Sequence, residues 1–335
     1  MLAAHADWSV AAGKRWLCRA WREAAWREPG RKAGREVGGW RVAAPEPVGE
    51  VSTLPARLIA EAGGAPVALG VDFPLGLPRA YVARHLAGRF RDFPDFLAHI
   101  VHFPDFFEVS PTLATVAPGR PFYPARGYRC MTRAAHAAAL GLDSAADLSR
   151  ACDRATVERP AGAPLFWTLG ANQSGKAAIH AWRALLIAPH PALRLWPFAG
   201  PFRQLLAPGR VVIAETYPAE AQRQLGIARI GSKRRQGDRA ALAEALRLVL
   251  AALGADASPE LAAMIADGFG ADAAGEDRFD CLLGLLGVLG VLAGRRPDMP
   301  PPDPWLATWE GWVLGQTAEP RPPMPGVSRA ASATG

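Results

Sequence analysis

The stretch "APVALGVDFPLGLP", from Ala65 to Pro78, decides the fold class. Its centre, residues 67–71, is a short apolar run typical of a buried β-strand. Asp72 follows at once, and the prolines after it prevent the strand from continuing because proline has no backbone N–H to donate. A carboxylate therefore marks the end of a buried strand.

Other predicted strands end in the same way. In "GRVVIAETYPAE", which begins at Gly209, the apolar run 211–214 is followed by Glu215. The opening "LAAHADWS" predicts a buried strand that ends near Asp7. After it, "RWLCRAWR" alternates apolar and charged residues, which predicts a second strand paired with the first in a hairpin, and "GWRVAA" from Gly39 predicts a third.

Helices are predicted between and after these strands. "STLPARLIAEAGG" carries a cap signal at Ser52, and "SPELAAMIADG" carries one at Ser258. "GDRAALAEALRLVLAALG" has an amphipathic pattern, and "GEDRFDCLLGLLGVLGVLAG" is nearly apolar beyond a first turn that includes Asp280. The alternation of strands and helices predicts an α/β fold.

The chain is expected to form one domain over residues 1–317, with a disordered tail over 318–335. Residues 79–205 are rich in Phe, Pro, Arg and His and contain no strand of comparable quality. This region is therefore predicted to be a mostly helical insertion. Within the proline-rich end of the chain, "WLATWEGWVLG" has enough tryptophan to dock on the core.

Composition narrows the class of protein. The 335 residues carry a net charge of +7, and nearly all of the positive charge is arginine. A basic chain is compatible with a nucleic-acid or phosphate partner. The four cysteines are scattered without a C-x-x-C pair, which argues against a zinc ribbon or a disulfide scaffold and favours a reducing, cytoplasmic compartment. The start does not have the pattern of a signal peptide, and the longest apolar run is short for a membrane span, so no membrane partner is expected.

The carboxylates at the strand ends predict a shared site. Asp7, Asp72 and Glu215 each interrupt an apolar run, and a buried carboxylate costs several kcal/mol unless it is paired or bound to a cation. One such residue is usually a structural cap, but several at one edge of an α/β sheet indicate a common site. Mg²⁺ and Mn²⁺ prefer carboxylate oxygen, and metal-bound water can cleave phosphodiesters. For Glu276 and Asp277, complementing the helix dipole is the simpler explanation.

Four motifs occur in the order of a known family: "HADWS", "GVDFPLGLP", "AETYPAE" and "DRFDCLLGLL". Together with "FWTLGANQSGKAAIHAW" and "EGWVLG", they make the chain resemble, over residues 1–317, the RNase H-like nucleases known as domain of unknown function, family 429. The resemblance implies a three-layer RNase H-like fold, a mixed five-stranded sheet with helices on both faces, interrupted here by the insertion at about 79–205.

The resemblance also implies an activity and its residues. Asp7, Asp72 and Asp280 would hold Mg²⁺ or Mn²⁺, Glu215 would be a further catalytic acid, and the reaction would be phosphodiester hydrolysis of nucleic acid. Cys281 departs from the family pattern, which favours a small residue after the helix acid. A catalytically inactive RNase H-like binding module is an alternative, since a fold does not by itself give a function.

A second alternative comes from "GANQSGK", residues 170–176, which resembles the phosphate-binding pattern G-x-x-x-x-G-K-[ST]. Ala177 replaces the Ser or Thr, and Pro164 interrupts the strand that should precede the loop, so a turn leading into a helix is favoured over an NTP-binding loop. Lys176 and Asn172 are still candidate phosphate contacts. Lys233 and Arg234, in the basic cluster "IGSKRRQGDR", are two more.

Overall fold

The strands form one mixed sheet in a computed structural model that describes residues 1–22, 39–127, 131–170, 174–228 and 231–321. The strands are β1 (Leu2–Asp7), β2 (Trp16–Arg22), β3 (Trp40–Val42), β4 (Glu46–Pro47), β5 (Val67–Val71), β6 (Leu193–Leu195), β7 (Val211–Glu215) and β8 (Ala255–Ala257). Their order across the sheet is β6-β7-β5-β1-β2-β3-β8, and β4 pairs with β2.

The helices lie between these strands and after them. They are α1 (Leu54–Glu61), α2 (Arg79–His85), α3 (Phe93–Ala98), α4 (Arg133–Ala139), α5 (Ser174–Ala181), α6 (Phe202–Leu205), α7 (Pro218–Gln224), α8 (Gln236–Ala240), α9 (Ala243–Ala252), α10 (Pro259–Ala266) and α11 (Gly275–Leu292). Short 3₁₀ turns cover Ala12–Lys14, Ile100–His102, Leu113–Thr115, Ala145–Leu148 and Ala151–Asp153, and π turns cover Trp182–Leu186 and Leu306–Glu310.

The pairing of the long strands brings three strand ends together. β1 and β2 form the predicted antiparallel hairpin. β1, β5 and β7 are parallel neighbours, with Ala6 opposite Val71 and Val71 opposite Glu215. Their carboxyl ends therefore meet at one edge of the sheet, which is where an open α/β sheet places its binding crevice.

Helices cover both faces of the sheet, and the alternation of strand residues assigns each face its partners. Leu2, Ala4 and Ala6 belong to a core shared with α1 and much of the region from Phe73 to Leu193. Ala3, between them, belongs to a second core shared with α9, α10 and α11. The predicted α/β class is thus confirmed, with an eight-stranded sheet in place of the expected five strands.

The extra strands are the short ones, of two or three residues each. β6 lies inside the region predicted to be a mostly helical insertion, yet it pairs with β7 at the sheet edge. Strands this short cannot show an alternation of apolar and polar residues. They form because hydrogen bonds to a longer neighbouring strand stabilise them.

Several smaller predictions need correction or comment. Ser52 does not cap α1, because Thr53 occupies the N-cap position and the Ser52 hydroxyl donates to Glu50 Oε1 at 2.9 Å. Asp280 lies in the second turn of α11, because the helix begins at Gly275. Most of the tail predicted to be disordered, 318–335, lies outside the described residues. Docking of "WLATWEGWVLG" is confirmed by burial of Trp309 and Trp312. Of the helices in the described residues, none is both long and apolar enough to cross a membrane.

The glycines of α11 let this helix approach β1 closely. A Cβ added at Gly284 would lie 2.2–2.3 Å from ring atoms of His5, which is fully buried. The His5 ring is also held by a 2.8 Å hydrogen bond between its Nε2 and Thr216 Oγ1. The ring therefore has little room to give way to a methyl group.

We expect Gly284→Ala to lower the free energy of unfolding by about 1–3 kcal/mol, the usual range for an overpacked core. Gly290→Ala, on the same helix, is the matched control, because nothing lies within 4 Å of its added Cβ. Higher helix propensity should make that variant neutral or more stable by up to about 1 kcal/mol. Thermal melts of both variants measure the difference, and equal melting temperatures would contradict the tight contact with His5.

Candidate functional site

Three aspartates meet at the carboxyl edge of the sheet. Asp7 is the last residue of β1, Asp72 directly follows β5, and Asp280 comes from α11. Alternation along β1 directs Asp7, like His5, towards the face that α11 covers. The backbone N–H of Trp8 donates to Asp72 Oδ1 at 2.5 Å, which ties the ends of the two strands together. The prediction that these three carboxylates share a divalent cation stays a prediction.

Burial and mutual repulsion raise the pKa values of the aspartates. The pKa of Asp7 is raised well above its ordinary value, first by burial and then by the charges of Asp72 and Asp280. Burial, with a further contribution from the charge of Asp280, raises the pKa of Asp72 to about 7. The interaction between the two side chains raises the pKa of Asp7 and lowers that of Asp72. A divalent cation beside these carboxyl groups would favour their ionised forms.

Lys233 is the cation that the site already contains. Its Nζ donates to Asp280 Oδ2 and lies 3.4 Å from Glu276 Oε1. Burial lowers the pKa of Lys233, but these two carboxylates raise it more, so the ammonium stays charged. The other Asp280 oxygen, Oδ1, is buried and has no hydrogen-bond partner among the described residues. The Lys233 ammonium therefore contacts Asp280 and Glu276, and one acceptor oxygen of Asp280 has no partner among the described residues. This donor set is the kind that Mg²⁺ or Mn²⁺ prefers.

Asp72 and Asp280 open onto a cavity of about 720 Å³, called here the aspartate cavity, which Trp8 also lines, whereas Asp7 is not among the lining residues. Lys14, Lys176 and Lys233 also line it, and they are three of the four lysines in the whole sequence. In a chain that otherwise uses arginine for positive charge, the lining of this cavity thus combines lysines with carboxylates. Sequence reasoning missed Lys14, although the rarity of lysine was a usable signal.

Glu215 lines the same cavity but is held by a buried arginine. The guanidinium of Arg150 donates to both oxygens of Glu215 at 2.6 Å, and the backbone N–H of Leu75 adds a third hydrogen bond at 2.7 Å. The strand period explains the difference from the aspartates. Val211 and Ile213 face the α1 side of the sheet, and Glu215 follows them on the same side. A structural role accounts for these contacts, so Glu215 as a catalytic acid stays a prediction.

A second group of possible metal ligands surrounds Arg150. Cys152, Asp153 and Glu215 have ligand atoms within 4.8 Å of one another, whereas the three aspartates, also among the described residues, are more widely spaced. Arg150 also binds Asp153 at 2.9 Å, so the positive charge that these carboxylates need is already present. Burial raises the pKa of the Cys152 thiol and keeps it protonated, which makes it a poor ligand. This group is better explained as a buried ion-pair network, whose arginine sequence reasoning did not identify.

The remaining predicted contacts are distributed unevenly. Lys176 lies in α5 and lines the aspartate cavity, whereas Arg234 is exposed, with its Nε 3.8 Å from Glu276 Oε2. Asn172 lies outside the described residues. No strand occurs in residues 161–170, so the loop at 170–176 lacks the strand that a P-loop follows. Gly175 belongs to α5, where an added Cβ would lie 2.3 Å from the carbonyl oxygen of Leu165. Close packing thus explains that glycine.

Comparison of the chain with protein-family models, with curated proteins and with solved structures found no match. The structure is that of an α/β protein with a cavity lined by carboxylates and lysines at the carboxyl edge of its sheet. Any finer assignment has to come from the chemistry of that cavity.

Proposed function

We propose that the protein is a metal-dependent phosphodiesterase that hydrolyses nucleic acid at an RNase H-like carboxylate site. The observation that carries the proposal is the meeting of Asp7, Asp72 and Asp280, of which Asp7 and Asp280 are buried and Asp72 is partly exposed. The Lys233 ammonium contacts Asp280 through one oxygen, and the other Asp280 oxygen has no partner among the described residues. Such a group is costly unless a cation joins it. The parallel neighbours β1 and β5, together with α11, supply the three acids in the way that the family resemblance implies.

The residues divide into two roles. Asp7, Asp72 and Asp280 would hold Mg²⁺ or Mn²⁺, which supplies an activated water by lowering its pKa. Lys14 and Lys176 line the same cavity and would contact substrate phosphate. Hydrolysis adds water across one P–O bond and leaves a phosphate monoester and a free hydroxyl.

Lys233 keeps one alternative open. Because its ammonium already neutralises part of Asp280, the chain could be a binding module that uses the same cavity without catalysis. An NTP-binding role for residues 170–176 has less support, since no strand precedes them within 161–170 and Ala177 cannot ligate a metal.

A Mn²⁺ titration followed by thermal melting tests the proposal. We expect Mn²⁺ to raise the melting temperature, because binding to the folded state alone stabilises it. The effect should grow as pH rises through about 7, where Asp72 loses its proton. Cleavage of bis-p-nitrophenyl phosphate should require the ion and stop with EDTA. A melting temperature that does not change with Mn²⁺ at any pH would rule out the metal site. Binding of Mn²⁺ without cleavage would favour the inactive binding module.

A further inference from the structure

A second cavity adjoins the aspartate cavity. It has a volume of about 630 Å³, and we call it the side cavity; its lining includes Val10, Phe107, Glu108, Lys176, His180 and Arg183. Val10 and Lys176 line both cavities. A ligand whose phosphate lies among the aspartates could therefore continue past these two residues into the side cavity.

One helical face supplies the positive side of this second cavity. Lys176 and His180 belong to α5, and Arg183 lies in the π turn that continues it. Their spacing of four and then three residues puts all three on one side of the helix. No ion pair to Lys176 is found within the part of the chain that the structure describes, which leaves its ammonium available to an anion such as a phosphodiester.

The side cavity also offers surfaces on which a base can stack. The Arg183 guanidinium lies 5.3 Å from the centre of the Phe107 ring, and Glu108 holds it with a 2.7 Å ion pair. The side chain is nonetheless 47% exposed, so the planar group is open to a ligand. At the junction of the cavities Val10, an apolar residue, is 51% exposed. Guanidinium planes and apolar side chains are the surfaces that unpaired bases contact.

We propose that the side cavity binds the nucleotides next to the cleaved bond of a single-stranded nucleic acid, with a base on Arg183 and a phosphate on Lys176. The inference rests on the proposed function for the position of the cleaved bond. Each cavity has the volume of a small-ligand site, about 300–1,000 Å³, which suits one or two unpaired nucleotides. In a duplex these bases would stay stacked and paired, out of contact with Arg183.

The test measures binding apart from cleavage. Fluorescence anisotropy in EDTA compares a labelled oligothymidylate of about twelve nucleotides, within the usual site size for single strands, with a blunt hairpin duplex. Arg183→Gln is compared with Arg247→Gln on α9. Arg247 is a matched control because it is also half-exposed, at 59%, and paired with a glutamate, at 2.8 Å. Both exposed pairs contribute little to stability, so both variants should fold.

We expect the wild type to prefer the single strand and Arg183→Gln to weaken its binding about tenfold, the effect of losing one stacked base. The slope of log affinity against log salt should fall by up to about 1 in that variant. Arg247→Gln should bind like the wild type. Equal binding of hairpin and single strand, or unchanged binding by Arg183→Gln, would overturn the inference, even if Mn²⁺-dependent cleavage of bis-p-nitrophenyl phosphate supports the proposed function. Arg183-dependent binding without metal binding would instead retain the single-strand site and reject the nuclease.

Discussion

Asp72→Asn is expected to abolish most Mn²⁺-dependent phosphodiester cleavage, lowering the rate by several orders of magnitude. Asparagine can still accept the hydrogen bond from the Trp8 N–H, so the local backbone should persist. The change removes a negative charge beside Asp7 and Asp280, which weakens cation binding and with it the activation of water. The measurement is steady-state cleavage of bis-p-nitrophenyl phosphate against Mn²⁺ concentration. Asp256→Asn, an exposed aspartate of β8, is the control and should match the wild type.

The stability of the metal-free protein gives a second readout for the same variant. The pKa of Asp72 is about 7 when folded and lower when unfolded, so the folded state holds the extra proton between about pH 4 and pH 7. The free energy of unfolding should therefore fall as pH rises through this window. Asp72→Asn removes that loss, and the variant should be the more stable protein above pH 7. A structural cap predicts the opposite, a loss of about 1 kcal/mol. A destabilised variant with normal activity would reject the metal role of Asp72.

Arg150→Met should cause a large loss of stability, about 3–5 kcal/mol, because it leaves buried Glu215 without its cation. Arg150 is fully buried and also donates to the carbonyl oxygens of Leu75 and Glu310. Its removal thus affects three separate parts of the chain. Urea unfolding at neutral pH measures the change.

A double variant separates the charge effect from lost packing. Arg150→Met combined with Glu215→Gln should recover part of the loss, because an amide is much less costly to bury than a carboxylate. The single Arg150→Met variant should also be less impaired at acid pH, where Glu215 can take up a proton. Equal stability of the single and double variants would show that the ion pair is not the source of the effect.

The sequence predicts the aspartates better than it predicts their surroundings. Asp7 and Asp72 lie at the ends of apolar runs that can be recognised as buried strands from the local sequence alone. The parallel pairing of β1 and β5 then places both strand ends at the same edge of the sheet. Glu215 also follows an apolar run, but its side chain lies on the other face of the sheet from those of the aspartates. There it binds Arg150. Arg150 itself could not be identified from local sequence, because its partners Glu215 and Glu310 lie 65 and 160 residues away.

The short strands and the second cavity were beyond prediction for a similar reason. β4, β6 and β8 are too short to show a period of two, and neighbouring strands determine whether they form. The side cavity exists because residues near Phe107 pack beside α5, a contact that no local pattern encodes. Lysine rarity was visible from the start, but only the fold shows that Lys14 and Lys176 line one cavity.

Asp280 of α11 lies close to Asp7 of β1, and this proximity has a consequence for biosynthesis. Asp7 leaves the ribosome well before α11, at Gly275–Leu292, because β1 precedes α11 along the chain. Contacts of such long sequence separation form late, after the entropy of closing the loop has been overcome. A growing chain can build the hairpin and bring Asp72 beside Asp7, but it has no third acid until α11 emerges and docks. Any capacity of the three aspartates to hold an ion therefore begins only after α11 has been synthesised and has docked.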